Sequence, residues 1–273
     1  MQVSVLAPRR SAKVREVFSG GHRGIGYARN LGVESAQGEL IAYLDDDDIW
    51  LPHHLHAAVA TLRARQDVAI YACSALIAHP EGARRAPKVV YNGRGSLIDF
   101  FAGRWALLAR ERTIPCTTWV FRRDLGLDPG MDPSLTDRMD IWWLLQQASL
   151  GRRILQSAEV GTVWYEDPKR TAARWSLEVT LDWARRLDTL KHGAGDRFLV
   201  AVTGRRLARA GDQSGWEDLW RGVARSNRRL TREVCWERRL LSSVLRARSA
   251  TRSSNIQPSP VPRTDDEAGG VEP

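Results

Sequence analysis

The sequence predicts an α/β layer followed by a helical region. Three observations predict it. An apolar run, Leu40-Ile41-Ala42-Tyr43-Leu44, ends in four consecutive carboxylates, Asp45 to Asp48. A glycine-rich loop and a segment of helical character precede that run. From Thr171 to Ala250 strand signals vanish, and Arg, Leu, Ala and Trp recur at helical spacing.

The elements follow in order. Met1 to Lys13 reads as the last turns of a helix, and Val14 to Phe18 as a strand. Gly20, Gly21, Gly24 and Gly26 mark a loop. Ile25 to Gln37 reads as a helix with Gly38 as its stop. Leu40 to Leu44 reads as a buried strand, which puts Asp45 to Asp48 at its carboxyl end, ahead of a helix starting near Pro52. Further on, Thr117 to Arg122 is β-prone and Gly126 to Pro133 is rich in turn residues. Asp137 to Ser149 is helical, and Ile154 to Tyr165 gives one or two strands.

In open α/β sheets, ligands bind beyond the carboxyl ends of strands. Four adjacent carboxylates repel one another unless a cation or water offsets the charge. Alternating acids such as Asp45 and Asp47 suit a hard divalent ion, Mg²⁺ or Mn²⁺. The plainer reading is a solvated acidic turn that caps the next helix.

Three sequence words give the acid run a frame: Ala28-Arg29-Asn30-Leu31-Gly32, then Ala36-x-Gly38-Glu39, then Leu44-Asp45-Asp46-Asp47-Asp48-x-Trp50-x-Pro52. In this order and spacing they resemble the family 2 glycosyltransferases. The resemblance covers Val14 to Tyr165 and implies a GT-A-like fold, a mixed sheet flanked by helices. It implies transfer of a sugar from a nucleotide-diphosphate donor to an acceptor hydroxyl, with inversion. Asp45 and Asp47 match the paired acids that hold the metal, with Asp46 and Asp48 as neighbours able to substitute. Arg29 and Asn30 match positions close to the donor.

The downstream match is looser: Arg122-Arg123, Gly130-Met131-Asp132, and Asp137-Arg138-Met139-Asp140-Ile141-Trp142. The family pattern has Glu-Asp before the aromatic, whereas here the aligned pair is Asp137-Arg138, or the acid has slid to Asp140. The resemblance therefore leaves two candidates for the general base, Asp137 and Asp140, three apart and on one side of a helix. Asp137 is the favoured of the two, because it matches the family's first acid without a shift. The other reading is a helix cap and a solvated first-turn acid. Trp142 is the aromatic expected at the substrate, with core packing as the alternative for Trp119, Trp142 and Trp143. The family also carries, upstream of the matched part, a strand and a nucleotide-recognising turn. These are expected to be lacking here, leaving an unpaired sheet edge and exposed apolar surface.

The organisation expected is a partial GT-A-like domain over 1–168, a basic helical region of about four helices over 169–249, and a disordered tail over 250–273. Within the helical region, Trp175, Trp183, Trp216, Trp220 and Trp236 are expected to pack the helices together. Arg221, Arg225, Arg228, Arg229, Arg232, Arg238, Arg239, Arg246 and Arg248 concentrate the formal net charge of +9 there. An arginine-rich solvated face is the first reading, contact with an anionic membrane surface the second, and nucleic acid the last, since no nucleic-acid motif accompanies the charge.

No apolar stretch reaches membrane-spanning length, and Met1 to Lys13 lacks the apolar core and cleavage site of a signal peptide. Cys73, Cys116 and Cys235 form neither a disulfide framework nor a metal motif, so a cytoplasmic protein is expected, with peripheral contact at the inner membrane face as a variant. His53 and His54 should diverge on a solvated helix start. The expected partners are a nucleotide-sugar donor and an acceptor that is a saccharide, a lipid-linked sugar or a small molecule. The rival reading is a truncated, non-catalytic relative that binds a partner or anionic surface through its basic helices.

Overall fold

The structure, a computed structural model, describes residues 15–79, 82–102, 112–165, 176–226, 228 and 230–254. Six strands among them form one mixed sheet: β1 (Leu40–Ala42), β2 (Ile49–Trp50), β3 (Ile70–His79), β4 (Gly82–Ala86), β5 (Val120–Arg122) and β6 (Ile154–Tyr165). The order is β1-β5-β3-β6-β2, with β4 sharing an edge of β3 with β5. β3 and β6 run parallel and all other pairs antiparallel. β1 and β2 thus lie at opposite ends of the order although few residues separate them, so the acidic loop crosses the rim of the sheet.

β3 shows why the sheet has helices on both faces. Its residues alternate between two apolar clusters: Ile70 and Ala72 face one, Tyr71 and Cys73 the other. The smaller cluster lies under α2 (His54–Ala64), through Ala58 and Leu62. β5 alternates likewise, with Phe121 in the larger cluster and Val120 in the smaller.

The larger cluster continues through α4 (Met139–Ser149) into the C-terminal helices. These are Leu177–Leu190, Ala194–Phe198 running through a π-helical stretch into Arg205–Ala210, Gln213–Arg225, and Arg232–Ser254. Thr180, Trp183, Ala184 and Leu187 are buried at helical spacing, as are Trp216, Leu219, Trp220 and Val223. Ser176 and Asp212 cap two of these helices, accepting from Val179 N at 3.4 Å and Gly215 N at 2.9 Å. The breaks expected near Gly193 and Gly211 are present, both glycines having positive φ. One apolar cluster spans Val33 to Leu245, so the boundary drawn at 168 does not divide the core.

Several sequence expectations change. Residues 15–19 form no strand, and Phe18 is 74% exposed. With no neighbouring strand among the described residues to satisfy its N–H and C=O groups, an isolated extended segment stays irregular; Val14 lies outside the described residues. The run at 117–122 divides into a 3₁₀ turn, Cys116–Thr118, and the short β5. Pro115 O accepts from both Thr118 N and Thr118 Oγ1, at 2.9 and 2.6 Å, which closes the turn.

His53 and His54 diverge, but only His53 is exposed. His54 is buried against Cys73, with Nδ1 3.4 Å from the sulfur. Trp183, Trp216 and Trp220 are buried, whereas Trp236 is 52% exposed. Arg228 belongs to no solvated face. It bridges Asp188 and Asp196, and its side chain is 14% exposed. Trp175, Arg229 and the tail from 255 lie outside the described residues. No helix among the described residues is long and apolar enough to cross a membrane.

Candidate active site

The acidic loop begins at the carboxyl end of β1 and closes as a turn, with Asp48 N donating to Asp45 O at 3.1 Å. Its four acids have different surroundings. Asp46 and Asp47 are exposed, while Asp45 is partly covered. Asp48 is buried at 8% exposure and accepts from Tyr165 N at 3.2 Å. Burial pushes the Asp48 carboxyl up to about 6, helped by Asp45 and Asp47 and opposed by the Tyr165 amide. Asp48 therefore ties the loop to the end of β6 rather than standing ready as a substitute ligand.

α1 (Ile25–Ser35) brings Arg29 to Asp45. Arg29 Nη2 donates to Asp45 Oδ1 at 2.7 Å and to Cys116 Sγ at 3.0 Å. The Cys116 thiol in turn donates to Asp45 Oδ2 at 3.6 Å. Arg29 also lies 5.6 Å from the centroid of the Tyr43 ring. Burial opposes the charge of Arg29, but the carboxylates of Asp45 and Asp140 outweigh it and hold the guanidinium protonated. Burial pushes the Cys116 thiol far up, which keeps it neutral. Tyr43 Oη is buried without a hydrogen-bond partner among the described residues. Sequence reasoning passed over Cys116 and Tyr43 as site residues. Tyr43 adjoins the acidic loop and could have been flagged, whereas nothing near Cys116 in the sequence links it to Arg29.

Asn30 does not reach into this cluster. Its Nδ2 donates to Met131 O at 2.7 Å and its Oδ1 accepts from Met131 N at 2.8 Å. The amide holds the turn at 130–132 against α1, replacing the substrate contact expected of it. Gly26 permits the same approach, since a Cβ there would stand 3.1 Å from Asp132 O.

The two candidate bases separate at the start of α4. Asp137 Oδ2 is paired with Arg138 Nη1 at 2.6 Å. Arg138 has a left-handed backbone, φ 54°, a conformation costly for a side chain with a Cβ. Its guanidinium lies 6.0 Å from the Trp183 ring and 5.7 Å from Phe198, so the helical region grips the entrance to α4. Asp140 is coupled electrostatically to Arg29 and Asp45; burial raises its pKa, Asp45 and Asp137 add to the rise, and Arg29 opposes it. Asp140 Oδ1 accepts from its neighbour Ile141 N at 2.8 Å. Trp142 is a core residue at 6% exposure, edge-on to Trp183 at 5.9 Å and covered by Arg186 at 5.8 Å. That packing agrees with the core role that was the alternative for Trp142.

Among the described residues, no three His, Cys, Asp or Glu side chains converge as an all-protein metal cage. The donor chemistry nevertheless fits a Mg²⁺-type ion, which uses one or two carboxylates and takes its remaining oxygens from phosphate and water.

Residues 4–125 match the family model for glycosyl transferase family 2. An uncharacterized glycosyltransferase of Nostoc sp. is 36% identical over 58 residues, which cover 21% of this chain and 18% of that protein's length. The crystal structure of Staphylococcus aureus TarS 1–349 superposes with a TM-score of 0.50 at 17% identity, over 85% of this chain and 72% of that one. A longer TarS structure gives 0.51 at 17% identity, over 86% of this chain and 42% of that one. The stretch 4–125 is thus similar to family 2 glycosyltransferases, and the fold is GT-A-like, a mixed sheet with flanking helices and C-terminal helices.

Proposed function

We propose that the chain transfers a sugar from a nucleotide-diphosphate donor to an acceptor hydroxyl, with inversion at the anomeric carbon. The observation that carries this reading is the cluster of Arg29, Asp45, Cys116 and Asp140 at the sheet rim, inside the family frame. Arg29 fixes the orientation of Asp45. Its buried positive charge also favours an anionic group nearby, such as a diphosphate. Asp45 and Asp47 would hold Mg²⁺ or Mn²⁺, which when bound supplies Lewis-acid stabilisation of the charge on the departing diphosphate.

Asp140 is the favoured base. Its proximity in charge to Arg29 and Asp45, and the burial that raises its proton affinity, suit a group that accepts the acceptor's proton. Asp137, engaged by Arg138, fits a structural role at the start of α4.

The test is nucleoside-diphosphate release from a panel of nucleotide sugars, with Mn²⁺ or Mg²⁺ present. Asp140→Asn should lower turnover by about 10²–10⁴-fold with donor affinity little changed. Asp137→Asn should act mainly on stability, by at most about 1 kcal/mol, through the lost pair with Arg138. Loss of turnover in Asp137→Asn alone would move the base to Asp137. Absence of both donor binding and turnover across the panel would overturn the enzymatic reading in favour of a non-catalytic relative.

A further inference from the structure

The last helix, Arg232–Ser254, carries six arginines against two glutamates. One side is committed to the core: Val234, Leu241 and Leu245 are buried, and Arg248 Nη1 donates to Arg209 O at 2.8 Å. The opposite side is exposed and is patterned. Arg232, Trp236, Arg239, Ser243 and Arg246 recur at i, i+4, i+7, i+11 and i+14, a single stripe along a helix. Trp236, Leu240 and Val244, four apart, form a partly exposed apolar row beside that stripe. Glu233 falls within that row and Glu237 at its far edge, both off the stripe that carries Arg232, Arg239 and Arg246.

Neither Arg232 nor Arg239 makes an ion pair among the described residues, and the contact of Arg246 is with Ser243 at 3.3 Å. Arg238 lies against the Trp220 ring at 4.6 Å and lines an open groove with Cys235, Arg239, Ser242 and Arg246. From Arg232 to Arg246 the stripe runs about 21 Å along the helix.

We propose that this face docks the protein flat on an anionic lipid bilayer. The arginines meet the headgroup phosphates, and Trp236 sits at the level where its amphipathic ring is favoured. Charge complementarity and the parallel apolar row favour a bilayer over nucleic acid. A single exposed aromatic offers no platform for stacking successive bases. The proposal is independent of the transferase reading, because none of these residues belongs to the candidate active site.

The experiment is co-sedimentation of the full chain with vesicles of phosphatidylcholine alone or mixed with phosphatidylglycerol, at low and high salt. Binding should require the anionic lipid and weaken with salt. Arg232→Ala, Arg239→Ala and Arg246→Ala together should reduce it about a hundredfold, from about fivefold for each charge removed. These side chains are exposed, so unchanged circular dichroism is expected for the variant. Lipid-borne spin labels should quench wild-type fluorescence more than that of Trp236→Phe. Three results would each overturn the proposal: equal binding to neutral vesicles, unaltered binding by the triple variant, or tight binding to duplex DNA without binding to anionic vesicles.

Discussion

His54 should make the stability of this protein fall as pH drops through the mildly acidic range. The imidazole is 1% exposed and lies between Trp50 and Tyr71, with ring centroids at 5.5 and 6.5 Å. Its neighbour Cys73 is a neutral thiol, pushed up to about 12 by burial. Burial, with a smaller contribution from His53, lowers the His54 pKa from 6.5 to about 4. The unfolded chain therefore takes up this proton near 6.5, and the folded chain only near 4. Between those values the unfolded state holds more protons, so the stabilisation present at neutral pH is lost as pH falls, and below 4 no more is lost. Integrating between about pH 7.5 and about pH 4.5 gives a loss of about 2.5 kcal/mol.

His54→Phe removes the titration and keeps a planar ring between Trp50 and Tyr71. Urea unfolding of both proteins across that pH range gives the difference in stability between them. Its value at any one pH includes packing changes, so the slope is the readout. The difference should swing by about 2.5 kcal/mol in favour of the variant as pH falls. A difference constant to within about 0.5 kcal/mol, the usual scatter for unrelated substitutions, would refute the assignment of a neutral, buried His54.

Gly161→Ala should destabilise by about 1–3 kcal/mol, read by urea unfolding. A Cβ there would stand 2.7 Å from Cys73 Sγ and 2.8 Å from His54 Nδ1. Arg228→Ala should cost about 3–5 kcal/mol in the same assay, because it strands the buried Asp196 and also Asp188. Removing Asp45 and Asp47 together as alanines should abolish the calorimetric heat of Mn²⁺ binding in the presence of a nucleoside diphosphate. Equal heats from variant and wild type would take the metal away from this loop.

Much of the frame was legible because its signals are local. Glycine punctuation and an apolar run bounded the helix at 25–35 and β1 at 40–42 to within two residues. Asp45 to Asp48 announced the rim of the sheet. β3 escaped notice, although Val68 to Ile77 is almost continuously apolar. A central strand buried on both faces lacks alternation, so only its length and composition betray it. The division of labour among the acids could not be read at all. Asp48 is structural because Tyr165, more than a hundred residues away, supplies an amide. Asn30 is structural because Met131 offers both a donor and an acceptor at the right separation. Spacing along the chain carries no information about such partners. The exposure of Trp236 was hidden for a related reason: a tryptophan reads as core until the face it occupies is known.

The grip of the C-terminal helices on α4 has a consequence for how this protein can be taken apart. Arg138 reaches Trp183 and Phe198, Trp142 stands against Trp183, and Arg186 Nη1 pairs with Asp132 at 2.9 Å. A gene fragment ending where the α/β layer ends would strip these partners from the residues flanking the acids at 137 and 140. Such a fragment would carry every motif of the family frame and still present those acids on an unsupported helix. Recombination between relatives should therefore succeed only where crossovers keep α4 and the helix at Leu177–Leu190 from the same parent. These two segments form one unit of inheritance, although the motifs lie in only one of them.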